Sequence, residues 1–170
     1  GRKFSVDNMD NEETAGLAFG RLSSEFIRVK VAPEQDAFRF ATYAGTTGIS
    51  KVSAGATLSS GNDVLTALIT AQNKMDEDEV SPENRILYIT PTLYNLAINV
   101  DTTKSKAVLD GFAKIVKVPQ SRFYTAIDLK DGTTKSEGVD ETAGGFAKAT
   151  TAKDINFMII QKSAVIQYPK

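Results

Sequence analysis

The sequence predicts an α+β fold, with helices packed on a mainly antiparallel or mixed sheet, and three observations carry that prediction. Helix-period apolar positions dominate the first half: Leu17, Leu22, Phe26 and Ile27 or Val29, then Val64, Leu65, Leu68, Ile69 and Met75. Short apolar runs of strand type, "RILYITP", Ile115 to Val118 and "INFMII", occupy the second half. A chain of 170 residues, 41% of them hydrophobic, is long enough to bury one good core.

Taken in order, "KFSVD" alternates with Phe4 and Val6 on one side and predicts a short strand. Asp10, with Glu13 following, is placed as the N-cap of a long helix over 10–44. Pro33 falls inside that pattern, which Phe38, Phe40 and Tyr43 continue; the reading is one kinked helix, with a second helix starting near Pro33 as the alternative. Gly45 is the expected C-terminal cap. Residues 46–61 are small, polar and glycine-bearing, hence a loop or weak hairpin.

"NDVLTALITAQNKMDEDE" is the clearest amphipathic helix, capped by Ser60 or Asn62; its acidic end opposes the helix dipole and is expected to fray. "RILYITP" then runs straight into a short helix, with Thr90 at the N-cap and Pro91 at the first helical position. Beyond a polar stretch, Val108-Leu109 precedes an Asp-Gly turn and the strand of Ile115, Val116 and Val118. From Asp131 to Thr150 the composition shifts to Gly, Thr, Lys, Asp and Glu, an exposed loop or long hairpin. The closing run Ile155 to Ile160 reads as a buried strand, followed by a Lys162-Ser163 turn and a further apolar start at Ala164-Val165-Ile166.

Composition removes several function classes. Lys and Arg (20) balance Asp and Glu (21), so no global field points to nucleic acid or a membrane surface. The absence of Cys and His removes thiolate chemistry, the commonest metal ligands and the usual acid/base side chain, and with them most hydrolase and metalloenzyme mechanisms; no cofactor or metal site is expected. No apolar run approaches the roughly 20 residues of a membrane span, and no signal-peptide core follows Gly1-Arg2-Lys3; the expectation is a soluble protein, cytoplasmic at synthesis.

Residual constellations have plainer readings. The glycine groups "SAGATLSSGND" and "ETAGGF" match no phosphate-loop pattern and read as loops. Ser50-Lys51, Lys104-Ser105-Lys106 and Lys162-Ser163 could supply a Ser-Lys dyad by composition only. "MDEDE" lacks the spaced oxygens and glycine of a calcium loop. Phe38-Arg39-Phe40 and Arg122-Phe123-Tyr124 could stack on bases, but core aromatics with snorkelling arginines is the favoured reading.

One resemblance covers most of the chain. "GRKFSVDNMDNEETAGLAFGRLSSEFIRVKVAPEQDAFRFATYAG" resembles the segment leading into and along the spine helix of tailed-phage major capsid proteins. "NRILYITPTLYNLAIN", "VKVPQSRFYTAIDL" and "INFMIIQKSAVIQ" resemble, in the same order, core segments of those proteins' axial domain.

The resemblance implies the tailed-phage capsid fold: a peripheral-domain segment at 1–58 with the spine helix and following loop, and a compact axial domain at 59–170. It implies a non-enzymatic subunit that closes into an icosahedral shell around DNA, in a virion after assembly in the bacterial cytoplasm. The partners would be copies of itself, with a scaffold or maturation protease. Arg21, Arg28 and Arg39 on the spine helix are the candidate inter-subunit or DNA-facing contacts. Family members carry an N-terminal arm and extended loop before the first matching segment and further peripheral structure after the last, so the chain is expected to be a fragment, for which a monomer is allowed even where its parent builds shells. The alternatives are an encapsulin-like compartment shell and a stand-alone α+β enzyme or ligand-binding domain.

Overall fold

A computed structural model of the chain describes residues 17–165 except 53 and 137. The expected strand at "KFSVD", the Asp10 cap, the strand start at Ile166 and the chain's final residues lie outside the described residues. What is described mixes helix and strand, as an α+β chain should, and contacts group the described residues into two units: 17–51 with 122–153, and 52–121 with 154–165. The division therefore differs from the expected one at 58/59, because 122–153 leaves the sheet-bearing unit and clusters with the long helix.

In the first unit, helix α1 (Leu17–Phe26) passes through a π-helical stretch, Ile27–Val31, into helix α2 (Ala32–Gly45) without a break. Pro33 has no N–H and its ring crowds the preceding turn, so an ordinary helical ladder cannot run through it. The chain widens just before it instead: the Ala32 N–H bonds back to the Ile27 carbonyl, five residues earlier. The 29 helical residues from Leu17 to Gly45 give an element on the order of 40 Å long. Gly45 is not the cap; the helix stops at Thr46, whose backbone turns extended while its hydroxyl bonds the Thr42 carbonyl at 2.9 Å.

The other part of this unit is a hairpin system. Strand β3 (Ile127–Lys130) pairs antiparallel with β6 (Gly145–Lys148), and the two-residue strands β4 (Lys135–Ser136) and β5 (Val139–Asp140) pair beyond them. The long-hairpin alternative for 131–150 is thus the one adopted. "ETAGGF" is the bend into β6, where Gly144 and Gly145 take positive φ (58° and 91°), a conformation that disfavours any side chain. Asp131 fastens the other side of the loop by accepting from the Thr133 and Thr134 amides at 2.7 and 2.8 Å. The Thr134 hydroxyl and these amides hold its carboxyl well below the usual carboxylate range.

The second unit holds the larger core. Strands β1 (Arg85–Ile89), β2 (Lys114–Lys117) and β7 (Phe157–Gln161) form a mixed sheet in the order β2-β1-β7, with β1 parallel to β2 and antiparallel to β7. Helices α3 (Gly61–Glu77), α4 (Pro91–Ile98) and α5 (Thr102–Leu109) pack on one another, and Val64, Leu65 and Leu68 join Leu87, Ile89, Leu93, Ala97, Leu109 and Phe112 in one buried cluster. β1 alternates buried and half-buried residues because it is the central strand, with its Leu87 and Ile89 face against this cluster.

Local chemistry sets the helix starts. Ser60 and Asp63 make a reciprocal capping box at α3: the Asp63 amide donates to the Ser60 hydroxyl (3.2 Å), and the Ser60 amide donates to the Asp63 carboxylate (2.9 Å). Gly61 is required by packing, since a Cβ there would collide with the Leu96 carbonyl and the Val100 side chain; α3 begins directly against the end of α4. Thr90 and Pro91 stand at the N-cap and first position of α4 as expected, although the Thr90 side chain makes no capping bond.

Helix α5 is absent from the sequence reading. Its eight residues, "TTKSKAVL", show little apolar periodicity, and it is nucleated by Asp101, which accepts from the Thr103 and Lys104 amides at 2.8 and 3.3 Å. The Asp-Gly turn at Asp110-Gly111 follows it as expected.

Candidate assembly surfaces

The first surface is the N-terminal half of the long helix. No described residue of 17–31 is buried, although the segment carries Leu17 (59% exposed), Phe19 (54%), Leu22, Ile27 (54%) and Val29. Scattered apolar residues are normal on a surface, but five within fifteen residues of one helix form an apolar stretch that stays largely exposed. Only farther along, at Ala37 and Phe40, does the helix bury side chains.

The three candidate arginines all lie on this element without forming a cluster. Arg21 is exposed and Arg39 half-buried; Arg28 is exposed and ion-pairs with Glu25, one turn back, at 2.5 Å. The Glu25 carboxylate raises the Arg28 pKa and is itself lowered by the same hydrogen bond. Water screens such an exposed pair, so Arg28 is not locked into this contact.

The two aromatic-basic motifs converge. Phe40 and Phe123, from motifs 83 residues apart, meet edge to face with ring centroids 4.8 Å apart, and both are buried. Arg122 reaches Asp36 at 3.1 Å beside them. These motifs build the first unit's core, while Phe38, which is 52% exposed, adds to the apolar surface of the helix.

The second surface is an open cleft of about 620 Å³ in the sheet-bearing unit, between α4, α5 and the start of β2. Tyr94, Leu109, Phe112 and Ile115 supply apolar walls, and Lys106, Lys114 and Asp110 stand at it. Lys117 sits over the Tyr94 ring, 4.2 Å from its centroid, adding positive charge at the same edge strand.

The third surface is the corner between α3 and β1, "MDEDEVSPE", read from sequence as a frayed acidic end. It is fastened: Lys74 pairs with Asp78 at 2.7 Å, and the almost fully buried Arg85 guanidinium pairs with Asp76 at 2.7 Å. Arg85 also donates to the Ser81 carbonyl at 3.0 Å and to the Val80 carbonyl, which ties the turn to the head of the sheet. Glu77, Glu79 and Glu83 stay exposed.

The Ser-Lys candidates are used locally. Ser105 is buried and bonds the Thr102 carbonyl at 3.3 Å, Lys51 bonds the Ala44 carbonyl at 3.3 Å, and Ser163 donates to the Gln161 side chain. Among the described residues there is no group of three or more acidic side chains arranged to hold a metal ion, and no helix is long and apolar enough to cross a membrane. Compared with known proteins, the chain matches no family model, no curated protein and no solved structure.

Proposed function

We propose that the chain is a structural subunit that assembles with copies of itself into the icosahedral capsid shell of a tailed phage or prophage, enclosing DNA. The observation that supports this reading most is the helix at 17–31, which carries five exposed large apolar side chains and buries none of its described residues. A helix pays for such exposure only if something else covers it, and in a closed homo-oligomer that cover is supplied by repetition. The four ordered resembling segments point the same way.

Under this reading the helix at 17–45 is the spine of a peripheral domain and the mixed sheet with α3, α4 and α5 is the axial domain. The protein works by geometry, through many weak contacts multiplied by symmetry. It resides in the virion and, before that, in the bacterial cytoplasm, with a scaffold or maturation protease as transient partners.

Negative-stain microscopy of the protein in its longest natural form, expressed alone and with a scaffolding protein, tests this. Closed or aberrant shells are expected, and nuclease-protected DNA in particles from infected cells. Discrete small particles under every condition would sink the proposal, and shells filled with an enzyme would replace the genome-enclosing function by a compartment.

A further inference from the structure

The cleft and the acidic corner belong to the same unit and complement each other. β1 and β2 run parallel with Ile86 opposite Lys114, so the corner that feeds β1 and the cleft at the start of β2 lie at one end of the sheet. The cleft offers exposed Ile98 and half-buried Tyr94 and Ile115 over the buried Leu109 and Phe112, and a rim where Lys106 and Lys114 outweigh Asp110. An occupant has to present carboxylates beside an apolar side chain. The corner does so with Glu77 and Glu79 exposed around a half-buried Val80. Arg85 holds the backbone of this turn, so little ordering entropy opposes docking.

We infer that the cleft receives the acidic corner of a second copy of this chain. The two halves of the contact are different surfaces at one end of the sheet: made once per pair it is head to tail and closes into a ring if the rotation allows, and made reciprocally it closes a two-fold dimer. The inference rests on the reading that copies of the chain associate, and names the surfaces that bring them together. Charge pairing steers the encounter and fixes the partner's orientation, while Ile98, exposed at the cleft, and the half-buried Tyr94 and Ile115 supply the apolar area to be covered.

The test is a charge exchange followed by sedimentation velocity over a concentration series at low salt. Lys106→Glu with Lys114→Glu, and separately Glu77→Lys with Glu79→Lys, are each expected to weaken self-association at least tenfold while leaving the thermal melt within a few degrees. The chain carrying all four substitutions is expected to recover association to within about threefold of the original. Unchanged association in both double variants, a quadruple variant no better than its parents, or an original chain that never associates would each overturn the inference. The shell proposal answers to microscopy of the longest natural form. Shells that persist with the four charges neutralised would leave that proposal standing and remove this one.

Discussion

The two units differ in how they use apolar side chains. The sheet-bearing unit gathers nine buried residues into one cluster, whereas the buried hydrophobics of the helix-and-hairpin unit are, among the described residues, Ala37, Phe40 and Phe123. The second of these leaves Leu17, Phe19, Ile27, Val29 and Phe38 in the open along one helix. One unit is organised around its own interior; the other holds apolar surface that burial in an assembly would use. That contrast sets a buried interior against an exposed apolar face, and substitutions can tell the two apart.

The largest effects are expected in the cores. Leu68 is fully buried in the central cluster, and Leu68→Ala should lower unfolding free energy by about 3 kcal/mol or more. Phe123→Ala, at the other core, should cost about 3 kcal/mol and remove the Phe40 edge contact. Urea unfolding followed by amide exchange locates each loss: Leu68→Ala should release protection chiefly in β1 and α3, Phe123→Ala in α2 and β3. Equal loss throughout the chain from either substitution would erase the distinction between the units.

Next comes the corner. Arg85→Ala leaves the Val80 and Ser81 carbonyls without their donor, and a cost of about 2 kcal/mol is expected, moderated because Asp76 faces water. Ser60→Ala removes one half of the capping box at α3 and should cost about 1 kcal/mol by thermal or urea melting. Opposite behaviour is expected on the long helix. Phe19→Ser with Ile27→Ser should change stability within about 0.5 kcal/mol yet reduce self-association, read by sedimentation. A large loss of stability there would mean that the helix is already covered within the chain.

The smallest effect is acid sensitivity. Hydrogen bonds from Ser60 hold the Asp63 carboxyl below its ordinary value, and the Thr103 and Lys104 amides do the same for Asp101. A lowered folded pKa contributes stability that is complete above the unfolded value of about 4 and fades as pH falls through the folded one. Urea midpoints should therefore be flat from pH 7 to 5 and fall below about pH 4. Asp101→Asn should flatten part of that fall.

Much of this architecture is written locally. The amphipathic pattern of α3, the Thr90-Pro91 start of α4 and the alternation in β1 are readable because period and cap chemistry depend on neighbours in sequence. Helix α5 escaped because eight weakly periodic residues are held by one capping aspartate and by packing against α3 and α4. The candidate surfaces were less legible: Arg21, Arg28 and Arg39 lie along the long helix without clustering, and its exposed apolar residues are ones that helical periodicity alone reads as core.

By itself the sequence determined most of the element types, the helical run through Pro33, the lack of Cys and His chemistry, and the polar character of 131–150. Tertiary structure alone decided that Phe40 meets Phe123, that Gly61 exists to let α4 approach, that Arg85 fastens an acidic corner, and that 122–153 clusters with the helix. Propensity and periodicity act over a few residues, whereas a ring contact, a close backbone approach or a buried ion pair depends on which distant segments the fold brings together.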